Sequence, residues 1–246
     1  MIEKSIYPFT IFTHDLDFTS KASLLTIGNL FMNVAGIDSH SKGFGIDEIH
    51  DKNLAWVALR IRIKMNRYPE LLEKVSIQTW IENWSRFATQ RNCIIYGAQG
   101  ENIGEIASVF TLIDFKLRQT VNMQERLGEY EKFVIPDVLD LGCPGKVKTL
   151  QNATLAGTRT VAYNDIDSNM HVNSFRYVAW VLDTIPFETY KQNKIADFEI
   201  NYIHEVLYGE TVSIYSEKVD ENVVVFDIRN AEGLSMNRCK FTFEKR

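Results

Sequence analysis

Residues 164–173 read Asn-Asp-Ile-Asp-Ser-Asn-Met-His-Val-Asn, the densest run of reactive side chains in the sequence. Asp167, Asn169 and His171 alternate within it, so on extended backbone they leave the same face. A carboxylate there can activate water or attack an acyl carbon directly, and an imidazole can share or relay the proton. An amide can orient either one, because it donates and accepts at once. A helical pattern follows from about Asn173, and a helix start offers free N–H groups and a positive dipole end where an oxyanion would be stabilised. These parts suit hydrolysis of an activated acyl group. Asp and Asn are also favoured at caps and turns, but three alternating polar groups that include a His exceed what a cap requires.

Other chemistries find no support. There is no Gly-x-Ser-x-Gly elbow, no His-Glu-x-x-His and no Cys-x-x-Cys, so neither a metal nor another cofactor is expected. Gly43-Phe44-Gly45 lacks the third glycine of a dinucleotide loop and follows a helix pattern rather than a strand. Cys93, Cys143 and Cys239 are odd in number and widely spaced, which fits neither a disulfide framework nor a zinc site.

The elements that must position this run repeat. Asp15-Leu16-Asp17 precedes one helical pattern, and Asp165-Ile166-Asp167 precedes another 150 residues later. The first pattern, N-capped by Ser20, places Leu24, Leu25, Gly28, Phe31, Met32 and Ala35 at spacings of three and four and ends near Gly43. The second places Phe175, Val178, Ala179, Leu182 and Ile185 likewise, with Pro186 to stop it. After the first helix, Val57, Leu59, Ile61, Ile63 and Met65 alternate with Ala58, Arg60, Arg62 and Lys64, and further strands are predicted near 74–82, 86–97 and 104–115. After the second, alternation over 198–206 is followed by strands near 210–217, 222–229 and 235–244. Each half is thus a long helix followed by an antiparallel meander of about four strands. The expected class is α+β, a tandem (double) hotdog in which a twisted sheet wraps each helix. A lone hotdog exposes an edge, and a second copy supplies its partner in cis. The expected division is 1–128, a linker over 129–150, and 151–246.

Composition sets the outer limits. In 246 residues, 45% are hydrophobic and 24% charged, ordinary for a globular chain. The net charge of −5 argues against a dedicated nucleic-acid binder. No apolar run approaches the ~18 residues of a membrane span, and no signal peptide is recognised at the N-terminus. A cytoplasmic location is expected.

Residues 165–180, Asp-Ile-Asp-Ser-Asn-Met-His-Val-Asn-Ser-Phe-Arg-Tyr-Val-Ala-Trp, resemble the signature of the acyl-ACP thioesterases of plants and bacteria. Gly43-Phe44-Gly45, Trp56-Val57, Val75–Trp80 and Arg91 resemble first-half features of that family, in the right order. The resemblance implies hydrolysis of the thioester between a fatty acyl chain and acyl-carrier protein, which ends chain elongation. It also implies a tandem hotdog. Matched residue by residue, it makes Asp167, Asn169 and His171 catalytic and places a catalytic Glu 34 positions after the His, at Glu205. The plant enzymes carry a Cys next; here it is Val206, so a carboxylate-driven mechanism is the better reading. Strict alternation puts Glu205 on the face of Glu199 and Asn201; if that polar face is solvent, Glu205 points away from the helix, unless a bulge turns it or the face borders the seam between the halves. His204 reads as an ordinary strand residue.

The first half has Thr19-Ser20-Lys21 where the second has Asn169, Met170 and His171, so it is expected to house the acyl chain, with Phe31 and Met32 limiting its length. The expected partner is an acidic acyl-carrier protein. A basic strip of Arg60, Arg62 and Lys64 is the candidate docking surface, with an ordinary wet strand face as the simpler explanation. A hotdog acyl-CoA thioesterase, a non-catalytic acyl-binding protein and a hotdog dehydratase stay open as alternatives, as does homodimer formation.

Overall fold

The computed structural model describes residues 3–167 and 169–246. The chain forms two compact units, Met1–Pro144 and Gly145–Arg246. Unit 1 runs β1 (Ser5–Thr10), α1 (Leu24–Ser41), α2 (Ile46–His50), β2 (Leu54–Met65), β3 (Lys74–Trp84), β4 (Thr89–Tyr96), β5 (Asn102–Asp114), β6 (Gln119–Thr120) and α3 (Met123–Leu127). Unit 2 runs β7 (Thr154–Thr160), α4 (Ser174–Thr184), α5 (Phe187–Gln192), β8 (Asn193–Tyr202), β9 (Thr211–Asp220), β10 (Val223–Arg229) and β11 (Ser235–Lys245). Within unit 1 the strands lie in the order β1-β3-β4-β5-β2, with β6 on β5; within unit 2 the order is β8-β11-β10-β9-β7. The pairings are antiparallel. Each unit is a hotdog, a helix set against a twisted sheet.

Two features depart from the sequence reading. Each unit opens with a strand that was not expected, β1 and β7, each pairing on one side within its unit. Neither advertises itself. β1 carries Pro8, which only an edge strand tolerates, and almost all of β7 is exposed, so it has no apolar alternation. Ser20 also does not cap α1. It sits at φ 60° in the preceding turn, and Ser23 caps instead, its Oγ accepting from the Thr26 N–H at 3.0 Å.

α1 buries Leu24, Ile27, Phe31, Val34 and Asp38, one helical stripe. Phe31 is fully buried with its ring 6.4 Å from Phe110, and Met32 is half-buried. Asp38 is buried as a charge and paired as one. Its carboxylate accepts from Arg91 at 2.6 Å, Lys42 at 2.5 Å and the Tyr7 hydroxyl at 3.2 Å. Arg91 also donates to Thr79 and Ser39.

The segment after Leu127 packs on unit 1. Tyr130 and Phe133 join Phe44 in an aromatic cluster with Trp56 and Trp84. Trp80 donates to the Asp137 carbonyl at 2.8 Å beneath Leu139 and Leu141. In unit 2, Asn201 binds both ends of a short stretch, accepting from the Val147 N–H at 2.6 Å and donating to the Gly145 carbonyl at 3.1 Å. Among the described residues no helix is long and apolar enough to cross a membrane.

Candidate active site

The loop leading into α4 is built by backbone hydrogen bonds. The Asp167 N–H donates to the His171 carbonyl at 2.8 Å, and the Met170 N–H to the Asp167 carbonyl at 3.1 Å, with Met170 held at φ 65°. Ile166 bridges Val172, and the Asn173 N–H donates to the Asp165 carbonyl at 2.8 Å. One Asp167 carboxylate oxygen accepts from the Asn169 N–H at 2.8 Å and the His171 N–H at 3.3 Å. Asn173 then caps α4, its Oδ1 accepting from the Phe175 N–H at 3.0 Å.

The backbone contacts of the same loop recur in unit 1. Asp17 N–H donates to Lys21 at 2.8 Å and Ser20 N–H to Asp17 at 3.0 Å, with Ser20 at φ 60°. Leu16 bridges Ala22, and Ser23 N–H donates to Asp15 at 3.0 Å. The 150-residue repeat is therefore a repeat of structure, and residues differ only where side chains leave this shared frame. Both caps can be tested alike. Asn173→Ala and Ser23→Ala are each expected to cost about 1 kcal/mol, read from the midpoint of chemical denaturation.

Asp165 anchors the loop from below. It is 2% exposed; its carboxylate accepts from the Ala162 N–H at 2.9 Å and Trp180 Nε1 at 3.2 Å, with Arg159 3.7 Å away. Nothing in the spacing singles out Arg159. Trp180 shows only as the aromatic at the end of the motif.

His171 and Glu205 meet across the loop, Nδ1 to Oε2 at 3.4 Å, with the imidazole 13% and the carboxylate 43% exposed. Strict alternation fails here for a visible reason. β8 ends at Tyr202, and the Ile203 and His204 N–H groups both donate to the single Met236 carbonyl. That doubled acceptor breaks the two-residue period, so Glu205 leaves the face of Glu199 and Asn201. Those two are buried, not wet: Glu199 accepts from Lys240 at 2.5 Å and Asn201 holds Val147. His204 is exposed. Asn169 Oδ1 is buried with no hydrogen-bond partner among the described residues, an acceptor left available within the site. Beneath the site, Tyr177 packs its ring 5.2 Å from Trp180 and 6.3 Å from Tyr202, and burial raises its hydroxyl above the ordinary phenol value.

The structure thus brings Asp167, Asn169, His171 and Glu205 together at the start of α4. A carboxylate beside an imidazole can take a proton from water, and the positive end of a helix can stabilise the oxyanion that follows. The basic strip fares differently. Arg60 donates to the Pro144 carbonyl at 2.9 Å and Arg62 to the Leu141 carbonyl at 3.4 Å, so both tie down the 141–144 segment while Lys64 stays exposed. In unit 1 a groove of about 930 Å³ runs between β1 and α1, lined by Phe9, Phe12, Leu25 and Leu30. Phe31 and Met32 do not line it.

Comparison with known proteins covers nearly the whole chain. The acyl-ACP thioesterase N-terminal domain model matches residues 5–130, and the C-terminal domain model matches residues 150–245. The chain is similar to an acyl-ACP thioesterase of Bacteroides thetaiotaomicron, 30% identical with a TM-score of 0.91 over 98% of each chain. It shares its fold with the 12:0-ACP thioesterase of Umbellularia californica, 21% identical, TM-score 0.88, covering 99% of this chain and 98% of that one. Among curated sequences, the chloroplastic oleoyl-acyl carrier protein thioesterase of Coriandrum sativum is 26% identical over 92% of this chain. The chain spans 66% of that protein's length.

Proposed function

The chain belongs to the acyl-ACP thioesterase family, and from that premise we propose that it hydrolyses the thioester of a fatty acyl-ACP, releasing a free fatty acid and ending chain elongation. Poor resonance from sulfur leaves a thioester carbonyl electrophilic, so a positioned base and an oxyanion site suffice. Asp167 commits one oxygen to two loop N–H groups, which makes it the residue that shapes the site and sets its charge. Glu205, beside His171, takes the proton from water. The hydroxyl adds to the carbonyl carbon, and the oxyanion forms at the start of α4. Glu205 passes that proton to His171 Nδ1 across their contact, the C–S bond breaks, and the imidazole gives the proton on its Nε2 to the departing sulfur. Asn169 orients the reacting groups through its free acceptor.

The observation that carries this reading is the His171–Glu205 contact on the Asp167 loop. The matching loop in unit 1 presents Lys21, 3.5 Å from Glu70, in place of the imidazole. We therefore assign catalysis to the second unit. The acyl chain falls to the first, where the groove along α1 supports that role and shifts its lining from Phe31 and Met32 to Leu25 and Leu30. Carrier docking would rest on Lys64 rather than on Arg60 and Arg62. A cytoplasmic enzyme of this kind meets acyl-ACP directly.

The deciding experiment compares acyl-ACP with acyl-CoA at equal chain length. A kcat/KM at least tenfold higher for acyl-ACP supports the proposal. Equal values, or a preference for CoA, would make the protein a general acyl thioesterase.

A further inference from the structure

The two units differ most at the end of the helix away from the catalytic loop. Counted from the shared loop, Thr184 of α4 corresponds to Val34 of α1, and α1 continues for seven more residues to Ser41. Pro186 prevents α4 from doing so, because proline lacks the N–H a helix interior needs. In unit 1 those extra turns carry Asp38 into the inner face of the sheet, where Arg91, Lys42 and Tyr7 fill the space around it.

Strand register identifies the matching positions in unit 2. Tyr7 faces Ile77 as Gly157 faces Ile214, and Arg91 faces Ile81 as Val224 faces Lys218. Cys93 faces Thr79 as Phe226 faces Ser216. Two members of the unit 1 plug are replaced by smaller residues, Gly157 for Tyr7 and Val224 for Arg91, while the positions counted for Asp38 and Lys42 fall at Glu188 and Gln192 on the separate short helix α5. What remains is a cavity of about 230 Å³, with Ala156, Ile185, Val224, Phe226 and Phe243 in its wall. Lys218 stands at its mouth with no ion-pair partner among the described residues, and Glu221 stands on the same rim. The ends of α4 are about 16 Å apart at 1.5 Å per residue, so this cavity is separate from the Asp167 loop.

We propose that this cavity, at the C-terminal end of α4, is a second ligand site that takes the alkyl chain of a medium-chain fatty acid, with its carboxylate on Lys218. Beside those apolar residues the wall is polar at Thr184, Thr189, Asn193, Ser216 and Asn222, and Lys218 is its one cation among the described residues, a combination that complements an amphiphile with an anionic head. The volume equals about eight water volumes, and one such volume per methylene accommodates a chain of about eight carbons. The site does not depend on thioester hydrolysis, so its test reads binding alone.

The experiment titrates octanoate into the full-length protein and follows backbone amide resonances. Saturable 1:1 binding is expected, with shifts clustered at Ile185, Val224 and Phe226, and butanoate is expected to bind at least tenfold more weakly. Val224→Trp, which fills the cavity, is expected to weaken octanoate at least tenfold. Lys218→Ala, an exposed change that leaves the core intact, is expected to weaken octanoate about threefold or more and to leave 1-octanol unaffected. Absence of saturable binding overturns the proposal. So do shifts centred on His171 or on α1, or octanoate affinity unchanged in both variants.

Discussion

Asp167→Asn is expected to lower kcat for acyl-ACP hydrolysis about 10³-fold, the size of effect that loss of one preorganised electrostatic group has, because it removes the charge that Asp167 sets beside the His171–Glu205 pair. The substitution is a demanding test because it leaves the loop standing. Asn keeps an Oδ1 that can accept from the Asn169 and His171 N–H groups, the two contacts that fix the turn. Only the negative charge is removed. Denaturation midpoints should therefore move little while turnover collapses. His171→Ala and Glu205→Gln should fall with it, and a double variant of those two should fall no further than the worse single, since the pair acts as one unit. Unit 1 supplies the control. Asp17 makes the same contact to its own loop, accepting from the Thr19 N–H at 2.7 Å, but no imidazole follows it. Asp17→Asn should leave turnover unchanged. Full activity in Asp167→Asn would remove this carboxylate from the mechanism.

Arg91→Met is expected to destabilise the protein by about 3 kcal/mol, because it strands a buried carboxylate. Asp38 is fully buried, and desolvation alone would raise its pKa; the Arg91 charge and the Lys42 hydrogen bond outweigh that and hold it below the ordinary value. Lys42 remains in the variant at 2.5 Å, which keeps the cost at the low end of the range. The sign with pH follows. A carboxylate whose folded pKa lies below its unfolded value of about 3.9 stabilises the fold above that value, and the contribution is lost as pH falls through the folded pKa. The unaltered protein should thus lose this contribution below about pH 4, and Arg91→Met should show a weaker acid dependence. Urea denaturation at pH 7 and at points from about pH 4 down to about pH 2 measures both effects. A variant as stable as the parent at pH 7 would mean that Lys42 alone neutralises Asp38, with Tyr7 only hydrogen-bonded to it.

The sequence made the Asp167 loop legible because three polar side chains in alternation have few structural reasons to exist. The repeat was legible because two Asp-x-Asp runs stand 150 residues apart. The same 150-residue spacing sets Ser23, not Ser20, opposite the Asn173 cap. Glu205 was harder. The resemblance pointed to it while alternation pointed away, and the conflict dissolves only where two N–H groups share the Met236 carbonyl. Strands β1 and β7 stayed hidden because edge strands need no apolar stripe. Arg60 and Arg62 looked like a free basic surface because sequence cannot show that the chain returns at 141–144 to accept their hydrogen bonds. The Asp38–Arg91 pair joins residues 53 positions apart, beyond any local pattern.

The most direct test of the account is the free fatty acid released from a panel of purified acyl-ACPs by the full-length protein. Multiple turnovers are expected on at least one chain length, with free acyl-carrier protein appearing in equal amount and the release lost in His171→Ala. Acyl-ACP that is bound and recovered intact, or release that survives in His171→Ala, would contradict the assignment of thioester hydrolysis to the Asp167 loop.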